Sequence, residues 1–93
     1  MKRIFKYKLP IDGGTVKIPE LVINWLTVDL QGGWPCGWAI VDDEVQAESI
    51  VVAWGTGWPA PKEEAEYLGT VQHMGFVWHY FRLPSSEIDL VEP

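Results

Sequence analysis

The stretch Ile50-Val51-Val52-Ala53-Trp54 runs directly into Gly55-Thr56-Gly57-Trp58-Pro59-Ala60-Pro61. The first five residues favour a strand and are apolar at every position, which is typical of a strand covered on both faces. The glycines and prolines that follow favour neither a helix nor a sheet ladder. We therefore predict a buried central strand over Glu48–Gly55 that ends in a rigid aromatic loop.

Further short strand patterns lie on both sides of this segment, separated by Gly and Pro. Apolar residues alternate with polar ones, or fill both faces, over residues 2–9, 15–18, 21–30, 36–41, 67–74 and 76–83. Such spacing is typical of an antiparallel sheet with tight turns. The expected fold is all-β, a small antiparallel sandwich or barrel of six to seven strands.

The connections carry their own signals. Asp12-Gly13 predicts a tight turn that joins the first two strands as a hairpin, and Asp42-Asp43-Glu44 predicts an acidic turn. Met74-Gly75 predicts a turn that places Val71 opposite Trp78, and Thr70 opposite His79, on the last two strands. Pro61–Glu66 predicts one short helical turn at most.

Length and composition indicate one globular domain. The 93 residues are 47% apolar and only 22% charged, which argues against global disorder. We expect a single domain over 1–93, with 85–93 as a loose acidic tail. One cysteine, Cys36, precludes an intramolecular disulfide and fits a reducing compartment. Neither a signal sequence nor an apolar run of membrane-spanning length is present, so a cytoplasmic protein without membrane contact is expected.

The charge is unevenly distributed. The net charge is -6, yet five of the seven basic residues lie within the first 17 residues and twelve of the thirteen acids follow them. General nucleic-acid binding needs a basic surface that releases counterions, so the acidic majority argues against it. The lysines near the start are typical of solubilising or edge-protecting side chains on a strand.

A second segment, Gly32-Gly33-Trp34-Pro35-Cys36-Gly37-Trp38, has the same composition as the loop after Trp54. Tryptophan is common in binding sites, and six in this length is far above ordinary usage. Flat indole walls beside backbone donors could hold a nucleobase, and the prolines would keep the loop stiff. A tight corner that needs positive φ at glycine explains the same residues. The candidate ligand-binding residues are Trp34, Trp38, Trp54, Gly55, Thr56, Gly57 and Trp58.

No catalytic or metal-ligand pattern is visible. His73 and His79 fall on neighbouring strands with different side-chain directions, and two histidines with one thiol do not form a zinc-ligand set. No histidine is predicted beside Cys36, which is typical of a small buried residue. The expectation is a protein that is not an enzyme and has neither a metal nor a cofactor.

Several stretches together resemble small uncharacterised proteins of bacteriophages and prophages, classed as a domain of unknown function. They are Ile4–Tyr7, Pro35–Asp42, Gly55–Pro61, Tyr67–Val71 and Val77–Phe81. The resemblance implies a histidine after the Gly-Thr-Gly, where this chain has Trp58; if that histidine has a chemical role in relatives, its absence speaks against catalysis here. The resemblance implies a phage-encoded accessory protein in the host cytoplasm. Such proteins often counter host defence.

Three functions stay open at this stage. The first is an oligomeric protein that binds a small nucleotide-like ligand at the two Trp/Gly/Pro segments. The second is a protein-protein inhibitor of a host defence protein, with an acidic or aromatic surface as its interface. The third is a structural phage component, or an enzyme of a type that the sequence does not reveal. A homo-oligomer is expected because the apolar strand faces exceed what one small sandwich buries.

Overall fold

A computed structural model describes residues 1–84, which form five strands and no helix. The strands are β1 (Lys2–Lys8), β2 (Thr15–Gln31), β3 (Trp34–Gly55), β4 (Glu66–His73) and β5 (Phe76–Pro84). All of them join one antiparallel sheet that curls into a half-barrel. The all-β prediction is confirmed. The predicted tail, 85–93, lies outside the described residues.

Strand β3 is the centre of the sheet. Its first half lies between β1 and the second half of β2, and its second half lies between the start of β2 and β5. Strand β4 continues the sheet beyond β5. Ile50, Val51 and Ala53 are fully buried, so the predicted central strand is confirmed.

The predicted number of strands is wrong because two of the expected breaks are bulges. Pro19 lies inside β2, at a register shift between Ile18 and Glu20. A bulge is one of the few places in a sheet that tolerates proline, since no ladder donor is needed there. Residues 15–18 and 21–30 are therefore parts of one strand.

The predicted acidic turn at Asp42–Glu44 is also wrong, because β3 continues through it. Leu21 pairs with Asp42 while Glu20 pairs with Gln46, so residues 43–45 bulge out of the ladder. Arg3 donates to Asp43 over 2.6 Å, and the terminal ammonium lies 3.1 Å from the same carboxylate. The ammonium first, and Arg3 second, lower the pKa of Asp43. Nearby positive charge thus allows the acidic run to remain extended.

The predicted N-terminal hairpin is absent from the described sheet, because β1 and β2 flank β3 on opposite edges. The predicted tight turn at Asp12-Gly13 is nevertheless present: φ is 54° and 77° at these residues, and the amide of Gly14 donates to the carbonyl of Ile11 over 2.9 Å. The connection before this turn is anchored to the rest of the sheet. Leu9 is buried and its amide donates to the carbonyl of Pro35 over 3.0 Å. The Tyr80 hydroxyl donates to the carbonyl of Pro10 over 2.8 Å. Burial of Leu9 and these two hydrogen bonds thus fix the path of the chain as it leaves β1 beside the start of β3.

The β4–β5 hairpin matches the prediction. Met74 and Gly75 have φ values of 51° and 85°, as a two-residue turn of type I′ requires. Val71 pairs with Trp78, and Thr70 with His79, in the predicted register. Before β4, the sequence predicted one short helical turn at most. The amide of Ala65 donates to the carbonyl of Lys62 over 3.0 Å there, which closes a single turn.

The main core fills the concave side of the curled sheet, where β4 packs across β2. At this crossing a Cβ on Gly69 would lie 2.3 Å from Cγ2 of Val28, so the approach needs glycine. The buried members of this core are Leu9, Ile18, Val51, Ala53, Val71, Trp78 and Tyr80. On the other side of the sheet, Ile50 and Leu83 form a small second cluster with Trp54 and Ala65. The candidate site lies beside this second cluster.

Candidate functional site

The loop after β3 is held by its own tryptophans. The Trp54 indole nitrogen donates to the carbonyl of Pro59 over 2.7 Å, and the amide of Trp58 donates to the carbonyl of Gly55 over 3.3 Å. A Cβ on Gly55 would lie 2.5 Å from Cε2 of Trp58, so the indole needs glycine beneath it. Gly57 has a φ of 89°, which other residues rarely adopt. The corner interpretation is therefore correct for the local backbone.

The Trp58 ring connects the loop to the core. It makes edge-to-face contacts with Trp54 and Trp78, with ring centroids 5.6 Å and 6.0 Å apart. Edge-to-face packing is a favourable aromatic geometry. Trp58 remains 41% exposed. The loop is thus preformed while one of its indoles stays accessible.

An open cavity of about 250 Å³ lies between this loop and strands β4 and β5. Its walls are mainly aromatic and apolar, and none of the residues that line it is a lysine, arginine, aspartate or glutamate. Tyr67 and Phe81 form a tilted pair on the strand side, with centroids 5.6 Å apart. The lining residues are Trp54, Gly55, Thr56, Gly57, Trp58, Ala60, Pro61, Tyr67, His79 and Phe81.

Three polar side chains of the cavity, Thr56, His79 and Tyr67, are joined through Thr70 into one hydrogen-bonded chain. Thr56 Oγ1 lies 2.7 Å from Nε2 of His79, and Nδ1 of the same ring lies 2.9 Å from Oγ1 of Thr70. Thr70 Oγ1 lies 2.5 Å from the hydroxyl of Tyr67. The chain joins the loop, β5 and β4. It can offer a hydrogen bond to a bound molecule at Thr56.

The structure brings together Trp54, Gly55, Thr56, Gly57 and Trp58 of the predicted site. The predicted pairing with the other Trp/Gly/Pro segment is not seen, because neither Trp34 nor Trp38 lines the cavity.

Trp34 lies against the β1–β2 connection. Its indole donates to the carbonyl of Leu9 over 2.8 Å, and its ring meets His73 edge to face at 5.0 Å. Lys8 lies over the same ring, with Nζ 5.2 Å from the centroid. Trp38 lies within β3, paired with Lys6 on one side and Thr27 on the other. Both tryptophans are half-buried.

Tyr67, His79 and Phe81 line the cavity although sequence analysis did not select them. The available signal was the alternation in β5, which places His79 and Phe81 on the same face of that strand. Trp54 pairs with His79 across the β3–β5 ladder, and directly paired residues share a face. The missing information was the pairing of these two strands, which are distant in sequence.

Metal binding finds no support in residues 1–84, where no group of three His, Cys, Asp or Glu side chains converges. Within the same range, no helix has the length and apolar character needed to cross a bilayer.

The comparisons with known proteins leave the activity open. No curated protein and no solved structure matches the chain significantly. Residues 1–90 do match a protein-family model, described as a domain of unknown function (DUF7352), and the chain belongs to that family.

Proposed function

We propose that the protein is a non-enzymatic binding protein that holds a small planar ligand of the nucleotide class in the cavity beside the Trp54–Pro61 loop. The observation that carries this proposal is the aromatic lining, in which Trp54, Trp58, Tyr67 and Phe81 surround one open space. Stacking of a base on an aromatic side chain contributes about 1–3 kcal/mol. The cavity offers several such faces.

The rigidity of the loop supports the same function. The bond from Trp54 to the Pro59 carbonyl holds the loop before any ligand arrives. A preformed loop avoids part of the entropy cost of ordering on binding. The lack of charged lining residues favours contact with the base rather than with a phosphate, which would remain in solvent.

The resemblance to phage and prophage proteins suggests a biological setting for this binding. A phage-encoded protein that captures a nucleotide signal in the host cytoplasm would lower the free concentration of that signal. Capture without turnover would be enough to counter a defence pathway that depends on it. This role needs tight binding and no catalytic group.

Two phenylalanines on β5 provide a matched test. Phe81 lines the cavity, whereas Phe76 is exposed and does not. Calorimetric titration with cyclic nucleotides and ADP-ribose derivatives should give saturable binding to the wild type. Phe81→Ala should weaken it about tenfold, the loss expected for one stacking contact, and Phe76→Ala should leave it unchanged. Absence of binding across the panel, together with no rise in melting temperature, would refute the proposal.

A second candidate function is an interface with another protein, such as a host defence protein. It is favoured by apolar side chains exposed on β1 and β2, among them Ile4 at 62%, Ile23 at 46% and Leu26 at 44%. Exposed apolar groups of this kind are typical of interaction surfaces. The same surface is the one we expect a homo-oligomer to use. A monomeric mass by light scattering would contradict the oligomer, and a pull-down from host lysate at low salt that recovers no protein would contradict the inhibitor.

A further inference from the structure

We infer that the chain Thr56–His79–Thr70–Tyr67 lets the cavity accept ring edges of either hydrogen-bonding polarity, so that it binds both amino-edged and carbonyl-edged nucleobases. This inference rests on the proposed function and specifies its ligand class. It concerns the hydrogen bond that Thr56 can make to a ligand held between the aromatic walls of the cavity.

The chain consists of groups that can reverse their roles. Each hydroxyl can both donate and accept, and a neutral imidazole donates from one nitrogen and accepts at the other. Hydroxyls occupy both sides of the His79 ring, at 2.7 Å and 2.9 Å. No carboxylate or backbone carbonyl contacts the ring to select one tautomer among the hydrogen bonds of residues 1–84.

Two arrangements therefore satisfy every member of the chain. In the first, Thr56 donates to Nε2, Nδ1 donates to Thr70, and Thr70 donates to Tyr67. The Thr56 oxygen then has a lone pair for an amino group of the ligand. In the second, the order of donors is reversed, Thr56 accepts from Nε2, and its own hydrogen is free for a carbonyl of the ligand.

Exchange between the arrangements needs only hydroxyl rotations and a tautomer change. Neither arrangement leaves a buried donor unpaired, because the Tyr67 hydrogen that has no partner in the first one belongs to a side chain that is 58% exposed to water. An unpaired donor is what normally penalises the wrong ligand. The aromatic walls add nothing to this discrimination, because every base has a π face. The cavity should thus distinguish poorly between bases that differ only in edge polarity.

Thr70 is a positioning residue in this scheme, since it contacts His79 and does not line the cavity. Thr70→Val removes the partner of Nδ1. The ring then retains its hydrogen on Nε2, where Thr56 can accept it, because an unpaired N–H costs more than an unpaired acceptor. This change makes Thr56 a donor to the ligand and should favour carbonyl-edged bases.

Adenosine and inosine form the matched probe pair, because they carry an amino group and a carbonyl at the same ring position. Calorimetry on the wild type should give dissociation constants within about threefold of each other. Thr70→Val should shift their ratio by about fivefold or more towards inosine, as one hydrogen bond allows. Thr70→Ser, which keeps the hydroxyl, should retain the wild-type ratio. Thr70 is exposed, so the fold should tolerate both changes.

The outcomes separate the two proposals. If neither nucleoside nor any nucleotide binds the wild type, the proposed function fails and the inference fails with it. If the wild type binds but discriminates more than about tenfold, or if Thr70→Val keeps the wild-type ratio at an unchanged melting temperature, the inference alone is wrong.

Discussion

The segments 32–38 and 54–61 have nearly the same composition and different roles. In each, an indole nitrogen donates to a backbone carbonyl: Trp34 to Leu9 over 2.8 Å, and Trp54 to Pro59 over 2.7 Å. The first bond fixes the connection between β1 and β2, which lie on opposite edges of β3. The second fixes the loop to itself.

The difference arises from where each segment lies on β3. Segment 32–38 begins the strand, so β1 and β2 continue on both sides of it and side chains cover Trp34. Segment 54–61 ends the strand, and the chain leaves the sheet before β4 begins. Open space therefore remains beside Trp54. In this sheet, the aromatic side chains border a cavity where β3 ends, and they are covered by neighbouring strands where β3 continues.

The largest effect on stability is expected from placing alanine at Gly37, the buried glycine of segment 32–38. A Cβ on Gly37 would lie 2.3 Å from Cζ2 of Trp25, which packs against the core and stacks on Tyr7. Gly37→Ala should therefore lower the free energy of unfolding by about 1–3 kcal/mol, as overpacking does. Urea unfolding followed by tryptophan fluorescence measures this change.

Gly55→Ala is the matched variant. The added methyl would meet Trp58, which is 41% exposed and can move towards solvent. Its cost in stability should be below about 1 kcal/mol, while nucleotide binding should be lost. Equal destabilisation by the two variants would remove the proposed distinction between a packed segment and an open one.

The next effect concerns Tyr80, which shares with Trp34 the task of holding the β1–β2 connection. Burial first, and charge on Cys36 second, raise the pKa of Tyr80 to about 12. A folded-state pKa above the ordinary tyrosine value means that the stabilisation is complete below about pH 10 and is lost as pH rises through the folded value. Unfolding should therefore become easier between about pH 10 and 12.

Tyr80→Phe tests this assignment. It leaves the Pro10 carbonyl without its donor and should cost about 1–2 kcal/mol at neutral pH. It should also flatten the alkaline loss of stability, although Tyr7, whose pKa is raised in the same direction by burial and by Glu20, would retain part of it. Denaturant curves at stepped pH supply the measurement. An identical alkaline loss in wild type and variant would show that Tyr80 is not its source.

The smallest effect is expected from replacing each indole donor. Trp34→Phe removes the bond to Leu9 in a half-buried position and should cost about 1 kcal/mol. Trp54→Phe removes an exposed bond and should cost less in stability but weaken ligand binding. Melting temperatures and nucleotide titrations on both variants give the two readouts. The reverse order of destabilisation would contradict the assigned roles.

Local patterns predicted the extended segments of this fold, although not where two of its strands end. The apolar run 50–54 indicated the central strand, and Met74-Gly75 indicated both the last hairpin and its register. Bulges were harder to predict, because Pro19 and the acidic run at 42–44 carry the same signals as a chain reversal. The acidic run stays in the strand because Arg3, on the neighbouring strand, binds Asp43. The strand continues through Pro19 because a register shift there removes the need for a backbone donor.

The candidate site was predictable on its loop side alone. Trp54 to Trp58 are contiguous, so composition was enough to select them. His79 and Phe81 reach the cavity through the pairing of β3 with β5, and Tyr67 through the hairpin beyond. Such long-range pairing depends on how the whole sheet curls, which no local pattern encodes. The same limit explains why Trp34 was expected in the cavity.

The length of β3 has a consequence for folding. Because its 22 residues supply ladder partners to β1, β2 and β5, neither end of the sheet has a complete set of pairs without it. The Gly32-Gly33 turn lets β2 and β3 meet early as neighbours in sequence, whereas β1 and β5 must each close a long loop onto them. Loss of β3 from the ladder would release every other pairing except β4 with β5. The pairings of β1, β2 and β5 with β3 should therefore be lost together when β3 unfolds, whereas the β4–β5 hairpin can persist.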